Sequence, residues 1–230
     1  MSATGKTTLV LLPGWVLGPR PLRPLARAIE RCDNTINVQC ATYPHLNSHH
    51  LDVWLKALDA QLPDHVWLGG WSMGGMLATA LAERRGTRTP GLITMGAAAR
   101  AMPSELVGWR LPRPGAWPAW LDQGRHDAWH LGKRLLTTLP RAGGRQSATE
   151  LALLGAMDLR QTLSRLTTPQ LHLFGEQDML IPASARQIVA DHLTSAGQMQ
   201  LIPNAGHGFV IDQAEQTARA IVNFMTTASR

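Results

Sequence analysis

Gly70-Trp71-Ser72-Met73-Gly74 fits the pattern G-x-S-x-G. An apolar run, "HVWLGGW" from His65, leads into it, and a helical pattern, "MLATALAERRG", leads out. A serine on a sharp strand-to-helix turn is lifted clear of the chain on a strained backbone. The flanking turns come so close there that side chains at the glycine positions would clash. Free N–H groups and the positive dipole end of the following helix favour an oxyanion beside that serine. The chemistry predicted is nucleophilic attack by Ser72; a solvated serine in a glycine-rich turn is the alternative.

A serine needs a base, and the base needs an acid to orient it. His207, in "PNAGHGFV", follows the last apolar run and lies between glycines, which puts it on a loop at the same sheet edge as Ser72. The alternative is an ordinary surface histidine. Asp178, in "LFGEQDMLIP", follows the preceding apolar run and is preferred as the acid. Glu176, nearer the end of that run, and Asp158, before it, compete. Oxyanion donors are expected from the backbone N–H of Met73 and from the loop after the first apolar run, "LLPGWVLG", where Trp15 is the choice. Trp15 can also pack at the mouth of the site.

His45 and His49 have the i, i+4 spacing of a metal pair. Pro44 and Asn47 make a loop there, and no carboxylate or cysteine completes a ligand set, so a polar helix entrance is the preferred reading. No metal is expected.

Apolar runs alternating with helical patterns must position these groups. Strands are expected in "TTLVLLPG", "TINVQCATYP", "HVWLGGW", "GLITMGAA", "PQLHLFGEQD" and "MQLIPNAGH". Helices are expected in "PLRPLARAIERC", in "SHHLDVWLKALDAQL" with Ser48 as N-cap, after Ser72, in "PASARQIVADHL" and in "QAEQTARAIVNFM". This alternation predicts an α/β fold: about six mostly parallel strands covered by helices on both faces. From residue 100 to 154 the rhythm breaks. That interval holds four of the eight tryptophans, Trp109, Trp117, Trp120 and Trp129, and is too long for a structureless loop. It reads as a helical cap inserted into a core of residues 1–99 and 155–230, with "WHLGKRLLTTL" and "SATELALLGAM" as its helices.

At 230 residues, with 44% hydrophobic and 17% charged residues, the chain has the composition of one ordinary globular domain. No apolar run approaches the ~20 residues that span a bilayer, and the first run ends in Pro13-Gly14 as a strand does, so a cytoplasmic protein without membrane association is expected. Cys32 and Cys40 are expected as reduced, partly buried thiols. The net charge of +6 favours acidic partners, but no signature of nucleic-acid binding accompanies it.

"LLPGW", "GWSMGG", "LFGEQDMLIP" and "NAGH", in this order, resemble the α/β-hydrolase family. Within it, "LVLLPGWVL", "VWLGGWSMGG" and "MDLRQTLSRLTTPQLHLFGEQDMLIP" followed by "GHGFVI" look most like the pimeloyl-[acyl-carrier protein] methyl ester esterases of biotin synthesis, the BioH type. The resemblance implies a triad of Ser72, Asp178 and His207, an oxyanion hole at Trp15 and Met73, hydrolysis through an acyl-serine, and no cofactor. It also implies that basic cap residues receive the acidic carrier protein. Residues 100–150 hold eight Lys/Arg against four Asp/Glu, and Arg134, Arg141 and Arg145 are the carrier contacts chosen. A solvated basic face is the competing account. The chain departs from the family where Pro13 replaces the usual His and where "TYPHLN" replaces a D-x-P-G-x-G loop. A general small-ester carboxylesterase, or a C–C lyase of the menaquinone-pathway type, is the alternative activity. A monomer is expected.

Overall fold

A computed structural model describes residues 6–15, 17–101 and 144–229. Six strands form one sheet: β1 (Thr7–Leu12), β2 (Ile36–Cys40), β3 (Trp67–Trp71), β4 (Leu92–Met95), β5 (Gln170–Gly175) and β6 (Gly197–Ile202). Their order is β2-β1-β3-β4-β5-β6, and every neighbouring pair is parallel. Parallel strands need crossover connections, and helices supply them. Helices α1 (Arg23–Cys32), α2 (Leu51–Asp59), α3 (Met73–Arg85), α4 (Gly144–Ala156), α5 (Arg160–Arg165), α6 (Ala183–His192), α7 (Phe209–Asp212) and α8 (Ala214–Ala228) are the α-helices among the described residues.

The side-chain period of two sorts β1 onto two cores. Leu9 and Leu11 pack with Leu25 and Ile29 of α1 and with Ile221 and Phe224 of α8. Val10 and Leu12 pack with Trp54 of α2, Leu77 of α3 and Leu153 of α4. Helix α3 is buried on almost every side. It therefore carries no amphipathic stripe, and its flanks, not its periodicity, mark it in the sequence.

One boundary differs from expectation. Helix α2 starts at Leu51 with His50 at the N-cap, not at Ser48. Ser48 still ties the entrance, accepting the His50 N–H at 3.2 Å through its hydroxyl and the Trp54 indole N–H at 2.6 Å through its carbonyl. A short turn here satisfies the serine better than a longer helix would. Both cysteines are free thiols. Cys32 is exposed, against the partial burial expected, because it ends α1 on the solvent side; burial pushes the half-buried Cys40 up to about 11.

Because all six strands run the same way, their carboxyl ends share one edge. The chain leaves β1 for β2 on one side and returns to β3 on the other, so a crevice opens between the loops after β1 and β3. The interval after β4 begins at this same edge. Its two ends meet: Arg100 and Asp158 form an isolated antiparallel bridge, and the Leu159 N–H donates to the Ala99 carbonyl at 2.8 Å. Of the segment expected to be a cap, residues 102–143 lie outside those described, "WHLGKRLLTTL" among them; "SATELALLGAM" falls largely within α4. No described helix is long and apolar enough to cross a membrane.

Candidate active site

Ser72 is the single residue between β3 and α3. Its φ of 55° and ψ of −123° lie where a non-glycine residue is strained by roughly 1–3 kcal/mol. The surroundings hold it there. Its N–H donates to Met95 of the neighbouring strand at 2.8 Å, and its carbonyl accepts the Gly75 N–H at 2.9 Å. The two motif glycines answer to close approach. A methyl at Gly70 would lie 2.1 Å from the Gly74 carbonyl oxygen, and one at Gly74 would lie 2.2 Å from that of Leu12.

Met73 opens α3, so its N–H has no carbonyl one turn back within the helix and points out of the helix start. Across the crevice, Gly14 packs against Ser72: a methyl there would lie 3.6 Å from the Ser72 Cβ. Trp15 follows, with its ring at the surface. Its indole N–H donates to the Ser147 carbonyl of α4 at 3.0 Å, tying the loop after β1 to the segment returning from the long interval.

Asp178 lies three residues past β5 and is 4% exposed. One oxygen, Oδ1, accepts the N–H groups of Leu180 and Ile181, each at 2.9 Å. The other, Oδ2, lies 2.8 Å from Nδ1 of His207, on the loop after β6. With the proton on Nδ1 the ring donates to this carboxylate, and Nε2 keeps its lone pair. Trp71, next to Ser72, donates its indole N–H to the His207 carbonyl at 3.0 Å, and the two rings are 5.7 Å apart. Among the described residues no hydrogen bond joins the Ser72 hydroxyl to the His207 ring. The Trp71 indole is the tie that holds their two loops together.

The competing acids are engaged elsewhere. Glu176 is exposed and accepts the Asn204 N–H at 2.9 Å. Asp158 is bound to Arg160 at 2.7 Å, which holds its carboxyl below the usual range. His45, His49 and His50 are all exposed ahead of α2, where the rings of His49 and His50 stack 4.6 Å apart. Among the described residues no three His, Cys, Asp or Glu side chains are grouped to hold a metal ion. Arg145 is exposed on α4, while Arg134 and Arg141 lie outside the described residues.

Two residues that shape the crevice were not singled out by the sequence. The Trp71 indole acts across 136 positions of chain, which no local pattern encodes. Tyr43 reaches the loop after β1 from the loop after β2; its place past the end of a parallel strand was the available signal. The arrangement can deprotonate a hydroxyl, store the positive charge on a carboxylate-backed imidazole, and offer backbone N–H groups to a developing oxyanion.

The profile of the alpha/beta hydrolase family matches residues 9–220. Over 96% of its length the chain is 30% identical to the biotin biosynthesis bifunctional protein BioHC of Cellvibrio japonicus, and it spans 48% of that protein. Over 96% of its length it is 28% identical to the pimeloyl-[acyl-carrier protein] methyl ester esterase of Edwardsiella ictaluri, spanning 93% of it. Among solved structures, the enol-lactonase from Burkholderia xenovorans LB400 superposes with a TM-score of 0.74 at 17% identity, covering 96% of this chain and 92% of the other.

Proposed function

The chain belongs to the alpha/beta hydrolase family, and from that premise we propose that it is a cytoplasmic serine carboxylesterase, one that hydrolyses the methyl ester of a pimeloyl group carried on an acyl carrier protein. The observation that carries the catalytic part is the 2.8 Å contact between His207 Nδ1 and Asp178 Oδ2, at the sheet edge where Ser72 stands on a strained turn. The relatives' activity supports the substrate.

In this reading His207 takes the Ser72 proton as the oxygen attacks the ester carbonyl. Asp178 stabilises the imidazolium, and the N–H groups of Trp15 and Met73 bind the oxyanion, each contributing about 10²–10³ to the rate. The tetrahedral intermediate collapses to an acyl-serine, and His207 protonates the departing methoxide to give methanol. Water, activated by the same ring, attacks the acyl-serine and releases the free acid and the serine. Residues 100–154 act as a cap over the site and hold the acyl chain, at about 0.8 kcal/mol per buried methylene. Their basic side chains, Arg134, Arg141 and Arg145 foremost, face the acidic carrier.

The test pairs two substrates with one variant. The purified chain is expected to release methanol from methyl pimeloyl-carrier protein, to be labelled by a fluorophosphonate, and to lose both properties as Ser72→Ala. Turnover of p-nitrophenyl esters with none of the carrier-bound ester would move the assignment to a small-ester carboxylesterase. Unchanged turnover in Ser72→Ala would remove the serine mechanism.

A further inference from the structure

Tyr43 has no part in the chemistry above, yet it touches the crevice. It is the one tyrosine of the sequence, and it sits past β2 at the edge that carries Ser72. Its hydroxyl donates to the carbonyl oxygen of Pro13 at 2.5 Å. That oxygen is confined from a second side by the start of α3, since a methyl at Gly74 would lie 2.5 Å from it.

The Pro13 carbonyl and the Gly14 N–H belong to one rigid peptide plane, so holding the oxygen fixes the direction of the whole unit. The next plane carries the Gly14 carbonyl and the Trp15 N–H. It is held in turn by Leu17, whose N–H donates to that carbonyl at 3.3 Å. Two consecutive peptides are thus clamped, one by a side chain from another loop and one by the loop itself. Tyr43 is firmly seated for this task. Its ring packs edge-on to Trp54, with centroids 5.6 Å apart and planes at 78°. Trp54 is fully buried and anchored through its own indole to Ser48.

We infer that Tyr43 is a positioning residue of this site: its hydroxyl locks the Pro13–Gly14 peptide and thereby aims the Trp15 N–H at the place of the developing oxyanion. The inference rests on the esterase reading and on Trp15 as an oxyanion donor. The surroundings agree with a hydroxyl that stays protonated and donating. Burial pushes the phenol well above its ordinary value, and the negative charge of Glu150 on α4 pushes the same way.

The first measurement uses Tyr43→Phe, which removes one oxygen and keeps the ring. With p-nitrophenyl butyrate, kcat is expected to fall about 10-fold, less than the loss of a whole donor, with KM within about twofold. Affinity for a trifluoromethyl ketone, which forms an oxyanion on the enzyme, is expected to fall by the same factor as kcat/KM, and the pH midpoint of kcat is expected to stay in place. A purely structural role for the hydroxyl would leave the ketone affinity as it was, and that result overturns the inference, as does a native kcat.

The second measurement needs no variant. Tyrosinate absorbance near 295 nm reports Tyr43 alone, and in the native chain it is expected to appear only well above pH ~10, where a free phenol ionises. Ionisation at the ordinary value overturns the inference. Ser72→Ala separates the two levels. If it retains native turnover, the esterase reading falls and the inference falls with it. If turnover requires Ser72 and Tyr43→Phe is unchanged, the inference alone is lost.

Discussion

His207 Nδ1 lies 2.8 Å from Asp178 Oδ2, and the partner oxygen of that carboxylate is held by two backbone N–H groups, from Leu180 and Ile181. The acid is therefore aimed before any substrate arrives, and its orientation does not depend on the histidine. Asp178→Asn keeps the shape but presents either an amide N–H to Nδ1, forcing the wrong tautomer, or a neutral oxygen with no charge to stabilise the imidazolium. Turnover is expected to fall by about 10⁴ with stability changed little. Ester hydrolysis assayed alongside a thermal melt checks this, and near-native turnover would remove Asp178 from the mechanism.

At Gly74 there is no space for even one carbon. A methyl would meet backbone oxygens of Leu12 and Pro13 at 2.2 and 2.5 Å, and neither atom can swing aside as a side chain end can. Gly74→Ala is expected to cost about 3 kcal/mol of stability and to push α3 away from the loop after β1. Urea denaturation measures the cost. Gly144, where a methyl meets nothing within 4 Å, serves as the control and is expected to tolerate alanine with little change.

The indole of Trp15 and its backbone N–H have separate tasks. The indole N–H holds the Ser147 carbonyl at 3.0 Å; the backbone N–H faces the crevice chemistry in the proposed mechanism. Trp15→Phe keeps the second and removes the first. A partly exposed hydrogen bond of this kind contributes about 1 kcal/mol, so amide exchange in Gly144–Ala156 is expected to quicken by about fivefold while kcat for a small ester stays within about twofold. Exchange at native rates in that helix would show that the indole tethers nothing.

The sheet was legible because its chemistry is local. Most strands are short runs rich in apolar residues, and β1, β4, β5 and β6 are closed by a proline or glycine, at Pro13, Gly96, Gly175 and Pro203; parallel order follows from the helices between the strands. G-x-S-x-G located Ser72 because a steric demand writes itself as glycine. What escaped the sequence depends on partners far away in the chain. Nothing near Tyr43 announces Pro13, and nothing near Trp71 announces the His207 carbonyl. Ser48 misled for a different, local reason: serine caps helices and also closes short turns, and the Trp54 indole one helical turn into α2 donates to the Ser48 carbonyl.

His172 lies inside β5, 2% exposed, with Nδ1 2.8 Å from the Thr94 hydroxyl and Nε2 3.2 Å from the Gln170 side-chain oxygen. The Gln170 amide nitrogen donates to the Leu166 carbonyl, so its oxygen faces the ring and can only accept. Nε2 therefore carries the proton and Nδ1 accepts from Thr94, a neutral ring with both nitrogens satisfied. Burial pushes its pKa from 6.5 down to about 4. Above pH 6.5 the folded and unfolded chains both hold a neutral ring, and the group adds no pH dependence. As pH falls below 6.5, the unfolded chain gains a proton that the native site refuses, so stability drops by about 1.4 kcal/mol per pH unit until pH 4, about 3 kcal/mol in all. Urea denaturation at pH 7, 5.5 and 4 is expected to show this loss in the native chain and a shallower one in His172→Gln. Parallel profiles for the two proteins would mean that the ring takes up its proton without opening the sheet.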